Sequence, residues 1–152
     1  MEAIERLKQE HMQLLAVFDE LEFTGDTLAR TRLLGQLAEL LKSHAAVEEE
    51  VFYPAVRASG LPGAAGIVEE ALAAHRAADL VLDETLGAEP TSANVKVLRD
   101  VIKAHIDDEE QRLFPLTDAL ADDVRARLAL RIERRADELE EGADEDDPRL
   151  PR

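Results

Sequence analysis

Apolar residues in this chain recur at steps of three and four through four successive segments, and that spacing admits helices packed on helices and little else. The first segment runs near 2–23, with Ile4, Leu7, Leu14, Phe18 and Leu21 on one stripe. The second, near 28–58, carries Leu34, Leu37, Leu41, Val51 and Ala55. The third, near 64–87, carries Val68, Leu72, Leu82 and Leu86. The fourth, near 92–120, carries Val95, Leu98, Ile102, Leu113 and Leu116. Between the second and third segments, Ser59-Gly60-Leu61-Pro62-Gly63 combines residues that end helices. Thr91 or Ser92 can cap the fourth. Aromatic residues are only 3% of the 152, and the chain lacks runs of β-branched residues that would favour strands. The short connections predict an all-α, antiparallel up-down four-helix bundle over 1–120. Val124, Leu128, Ile132 and Leu139 predict an additional C-terminal helix over 121–141, which packs on the bundle or joins two copies as a homodimer. The acidic, proline-containing stretch 142–152 reads as a disordered tail.

Every stripe has gaps, and the gaps are filled unusually. His11 stands in the first, His44 and Glu48 in the second, His75 and Asp79 in the third, His105 and Glu109 in the fourth. The chain has four histidines in all. A core seam takes about two of every seven helix positions, so chance would place all four there with odds of about 0.7%. Residues four apart share a helix face, so His44 and Glu48 point together into the core, as do His105 and Glu109. The second and fourth segments also repeat one another. His44-Ala-Ala-Val-Glu48-Glu49-Glu-Val-Phe52-Tyr53-Pro54 matches His105-Ile-Asp-Asp-Glu109-Glu110-Gln-Arg-Leu113-Phe114-Pro115. The chain is therefore two helical hairpins of similar design.

Buried carboxylates and imidazoles without a compensating charge cost several kcal/mol through desolvation. Bound cations supply that charge. Carboxylates can bridge two metals and imidazoles can end-cap each one, and such oxygen and nitrogen donors suit Fe, Mn or Zn. The chain has no cysteine, which excludes disulfides, thiolate zinc sites and thiolate catalysis. The Glu-x-x-His of ferritin-like bundles and H-E-x-x-H are both absent. A net charge of −16 opposes binding to nucleic acid or anionic membranes. With no signal-peptide pattern and no long apolar run, the chain reads as soluble and cytoplasmic.

His11, His44-x-x-x-Glu48, His75 and His105-x-x-x-Glu109, with their Phe-Tyr-Pro and Leu-Phe-Pro endings, resemble the hemerythrin family in its broad form, the HHE cation-binding domain. The resemblance covers roughly residues 1–120. It implies a non-haem centre of two Fe ions that binds O2, peroxide or NO. Carried over by position, His11 and His44 would serve one iron, His75 and His105 the other, and Glu48 and Glu109 would bridge them. The sequence departs from the oxygen carriers, which have a His-x-x-x-His pair on the third helix. Here Asp79 stands four residues after His75, and the last helix has Glu109 where carriers place an aspartate one residue later. Asp79 can replace the missing ligand, but accepting a hydrogen bond behind the ligands or lying on the helix face near solvent is the favoured reading. Glu69 and Glu70 are weaker candidates on the surface. Two octahedral metals offer about twelve positions, of which six residues fill about eight and an oxo or hydroxo bridge about two. The remaining open positions predict more reactivity than reversible storage. Peroxide decomposition, oxygen activation, and an iron- or oxygen-sensing role without turnover all remain compatible with this ligand set. Tyr53 can donate a hydrogen bond or an electron near the site, although its matched residue, Phe114, favours simple packing, and Pro54 and Pro115 are expected to kink or end their helices. Glu49 and Glu110 are expected to be solvated.

Overall fold

A computed structural model describes residues 2–145. The elements in chain order are α1 (Ala3–Phe23), α2 (Thr27–Val47), a π-helical turn (Glu48–Phe52), α3 (Tyr53–Ala58), α4 (Ala64–Leu86), α5 (Ser92–Asp108), a second π-helical turn (Glu109–Leu113), a 3-10 segment (Phe114–Ala119) and α6 (Asp122–Glu145). Asp26 opens α2 by accepting the Ala29 N–H at 2.9 Å. Thr91 opens α5 by accepting the Asn94 N–H at 3.2 Å. Each cap satisfies a backbone donor that the helix itself leaves free. The turn after α3 uses Gly60 and Gly63 at φ 69° and 78°. Side chains resist that left-handed region, and glycine enters it freely.

The direction of each helix follows from two buried apolar clusters. One holds Leu7, Val47, Val51, Phe52, Val56, Val68, Leu113 and Phe114. The other holds Leu14, Phe18, Leu21, Leu34, Leu37, Leu82, Leu98, Ile102 and Ile106. α1 and α4 run from the first cluster to the second, while α2 and α5 run back. The bundle is therefore up-down and antiparallel, as its stripes predict. The four histidines lie between the clusters, so the apolar core is cut by one polar layer. α6 packs on α1, α2 and the first π turn. Its Leu128, Ile132 and Ala136 complete the first cluster, with Leu139 half-buried against it, so the helix packs on the bundle through the middle of its expected stripe. The helix extends to Glu145, past the expected end at 141; the expected tail beyond it lies outside the described residues.

The two π turns are the main departure from a regular reading. Each begins at a glutamate of the repeat, Glu48 or Glu109, and each is closely followed by a proline. A proline ring in a regular helix meets the carbonyl four residues back, and the wider π turn accommodates it. Pro54 accordingly lies inside a helix that runs on to Ala58, and Pro115 lies in the 3-10 segment. The extra residue also shifts the helix phase. Ala55, expected on the stripe, is half-buried, while Tyr53 and Val56 are buried. The same shift buries Thr117 and leaves Leu116 half-buried. Leu86 is 44% exposed at the end of α4, where Thr85 turns inward instead.

Candidate metal centre

Each hairpin contributes one pair of imidazoles. The Nε2 atoms of His11 and His44 lie 3.1 Å apart, and those of His75 and His105 lie 3.1 Å apart. Glu48 and Glu109 stand between the pairs. Glu48 Oε1 is 3.0 Å from His44 Nε2 and 3.2 Å from His75 Nε2. Glu109 Oε1 is 3.2 Å from His11 Nε2, and its Oε2 is 3.4 Å from His105 Nε2. Two four-residue groups result, His11-His44-Glu48-Glu109 and Glu48-His75-His105-Glu109, each with its ligand atoms within 4.8 Å of one another. All these side chains are buried except His105, which is half-buried.

The donor set fits two cations. The Nδ1 atoms of His11 and His44 face Glu110 at 3.2 Å and Glu10 at 3.0 Å. Each Nδ1 therefore donates outward, which leaves Nε2 facing inward, where it can offer a lone pair to a cation. Two lone pairs 3.1 Å apart repel unless a cation lies between them. Two nitrogens bound at right angles to one ion, each about 2.1 Å from it, would lie about 3.0 Å apart. Glu48 Oε2 and Glu109 Oε1 are buried and make no hydrogen bond, although Glu109 Oε1 lies close to His11. Such oxygens are costly without a partner.

Without metal, protons perform the neutralisation. Burial works to lower His44, but the Glu48 charge and hydrogen bonds with Glu10 and Glu48 hold it well above its usual value. His75 is raised against burial mainly by its hydrogen bond with Glu48 and the charge of Glu48. Burial would raise Glu48, but the His44 charge and hydrogen bonds from Glu109, His105 and His44 hold it well below the carboxylate range. Burial and the Glu48 charge push Glu109 the other way, to about 7. Burial and mutual repulsion thus push the two carboxylates apart, Glu48 towards its ionised form and Glu109 towards its protonated one, and a bound metal would compete with that proton.

Four further side chains join the site. Tyr53 does more than pack. Its hydroxyl donates to Glu109 Oε2 and lies 3.1 Å from His75 Nε2, because the π turn rotates residue 53 inward. Burial, then the charges of Glu48 and Glu109, push its phenol strongly upward, so it stays a donor. Glu110 and Glu49 are not merely solvated, since each faces a histidine of the other hairpin, His11 at 3.2 Å and His75 at 3.6 Å. Glu10 backs His44, and its only sequence signal is that it directly precedes His11. Asp79 is exposed and belongs to neither four-residue group. It stands at the edge of a small cavity of about 30 Å³ whose walls include Leu14, Leu41, Ala78, Ile102 and Ile106, with His44, His75 and His105 at its polar side. Glu69 and Glu70 are exposed and pair with Arg57 and Arg112.

Residues 2–117 match the family model of the hemerythrin HHE cation-binding domain. A DNA nickase from Nostoc sp. is 28% identical over 109 residues, 71% of this chain and 31% of that protein. The chain thus spans about a third of the length of that curated relative. The crystal structure of a hemerythrin HHE cation-binding domain-containing protein from Mycobacterium kansasii superposes with a TM-score of 0.72 at 23% identity. That match covers 91% of this chain and 89% of the other, and it shows a shared fold.

Proposed function

The chain belongs to the hemerythrin HHE cation-binding domain family, and from that premise we propose that it holds a non-haem di-iron centre that binds O2 or reacts with peroxide or NO. The observation that carries the reading is the pair of pseudo-symmetric clusters sharing Glu48 and Glu109. His11 and His44 end-cap one position, His75 and His105 the other, and the two glutamates bridge. Bound irons would supply open coordination positions and redox chemistry for a small oxidant.

The chain's own residues set the terms. The cavity beside the histidines has a volume of about 30 Å³. That space is large enough for a molecule of the size of water or O2. Most of its wall is apolar. The Tyr53 hydroxyl donates its one hydrogen bond to Glu109 and so fixes that carboxylate next to His75. Elemental analysis of protein purified without a metal-affinity tag and reconstituted anaerobically with ferrous iron tests the centre. About two irons per chain, with spectra that change on adding O2, peroxide or NO, are expected. Zinc alone, or no metal, would overturn the redox reading.

A second reading, an iron- or oxygen-sensing module, is favoured by α6, which lies beyond the family match and packs on the helices that carry the site. Its test is whether iron loading or oxidation changes protease cleavage within 121–145; unchanged cleavage counts against it. The nicking activity named for the Nostoc relative gains no support from this chain, whose charge of −16 opposes a DNA backbone. Among the described residues, no helix is long and apolar enough to cross a membrane.

A further inference from the structure

α6 is tied to the centre by a continuous chain of charged groups. Glu133, Asp137 and Glu140 follow one another at steps of four and three, so they share a face of α6. They converge on Arg6 of α1, whose guanidinium is 3.1 Å from Glu133, 3.3 Å from Asp137 and 2.8 Å from Glu140. Arg6 Nε lies 3.8 Å from Glu10 Oε2. Glu10 Oε1 accepts the His44 Nδ1–H at 3.0 Å, and His44 Nε2 faces the centre. The side chains of Arg6 and Glu10 are 15% and 13% exposed. Solvent therefore screens them less than an ordinary surface pair.

Among the described residues, nothing equivalent serves the second hairpin. At the offset that relates His11 to His75, Arg6 corresponds to Glu70 and Glu10 to Ala74. Glu70 pairs outward with Arg112. Among the described residues, no carboxylate reaches His105 Nδ1; its contacts run through Nε2.

We propose that α6 tunes one of the two metal positions, with Arg6 and Glu10 as positioning residues that make the His11/His44 position the tighter. The inference rests on the di-metal reading above. A carboxylate behind a ligating imidazole fixes the tautomer and ring orientation and raises ligand basicity. Arg6 holds that carboxylate in place. Because three acids of α6 surround it, it does so without cancelling Glu10's charge towards His44.

The test is titration of the metal-free full-length chain with cobalt(II), read by visible absorption, with thermal unfolding alongside. The wild type should show two binding steps, one tighter. Glu10→Gln should weaken the tighter step by about 10–100-fold and spare the other. Arg6→Met should weaken the same step by about 3–10-fold and add nothing in the Glu10→Gln background, because it acts through Glu10. The double variant Glu133→Gln/Glu140→Gln, with both changes near the surface, should move the same step the same way and guards against a fold failure in Arg6→Met. A clamp that only anchors α6 would lower the melting temperature and leave both steps alone, which would overturn the proposal. Equal steps in the wild type, or equal weakening of both by Arg6→Met, would also overturn it. A wild type that binds no cobalt would instead remove the di-metal reading itself.

Discussion

His11 and His44 on one side, and His75 and His105 on the other, meet through Nε2 at the same 3.1 Å, but their Nδ1 atoms look out on different neighbours. In the first pair both Nδ1 atoms face carboxylates within hydrogen-bonding distance, Glu110 at 3.2 Å and Glu10 at 3.0 Å. In the second, Glu49 stands back at 3.6 Å from His75, and Ala74 occupies the place of Glu10. The aromatic neighbours differ too. Phe114 stacks on His11 with centroids 5.5 Å apart and planes 8° from parallel. The matched Tyr53 tilts by 44° over His75 and brings a hydroxyl into the ligand layer. The repeated motif makes the inner ligands alike. Glu10, outside the motif, braces one half by charge, and Tyr53, at a position where the two copies of the motif differ, serves the other with a phenol.

The largest test of this comparison removes what the halves share. Glu48→Ala should weaken metal at both positions by more than about 100-fold, beyond a typical loss behind the ligands. If equilibrium dialysis still finds two tight ions, the carboxylate does not bridge. Next, His44→Ala and His105→Ala should each leave one ion per chain, and the ion retained by His105→Ala should be the tighter. Elemental analysis after exhaustive dialysis reads this, and the reverse order would invert the comparison. Tyr53→Phe gives both halves the same aromatic. Loss of a donor to a buried carboxylate should destabilise the metal-free protein by about 1.5–3 kcal/mol in urea melts. With cobalt bound, only the band assigned to the His75/His105 position should shift; a shift in both would place the phenol's influence on the whole centre. The smallest expected effect comes from Ala74→Glu, which offers His105 the brace that His44 has. It should tighten the weaker step by up to about tenfold in the cobalt titration. No gain would mean that a carboxylate needs an anchor such as Arg6 to act.

The six central residues are legible because two regularities coincide on them. Helical periodicity places His11, His44, Glu48, His75, His105 and Glu109 on stripes otherwise filled by leucine and valine, and the repeat states the pattern twice. Residues that fall off those stripes are harder to read. Glu49 and Glu110 sit one position past the stripe, about 100° around the helix, which looks like solvent until a neighbouring helix is put there. Tyr53 is off the stripe of an unbroken α-helix and reaches the site only because the π turn rotates it inward. Asp79 shows the limit of spacing from the other side: it stands four residues from His75, yet it is exposed near the edge of the apolar cavity, as its reading as a helix-face residue near solvent expects.

Spacing along one chain is enough to specify the four amphipathic helices, their alternation of direction and the composition of the polar layer, because each of these is a local property. Packing in three dimensions sets the rest: what stands behind each imidazole, that α6 lies against the first hairpin, and that Arg6 joins its acids to Glu10. Those contacts join helices that are distant in sequence, as Glu10 is from His44, Glu110 from His11 and Glu140 from Arg6. Their partners follow from helix rotation and crossing geometry, which periodicity within a single helix does not encode.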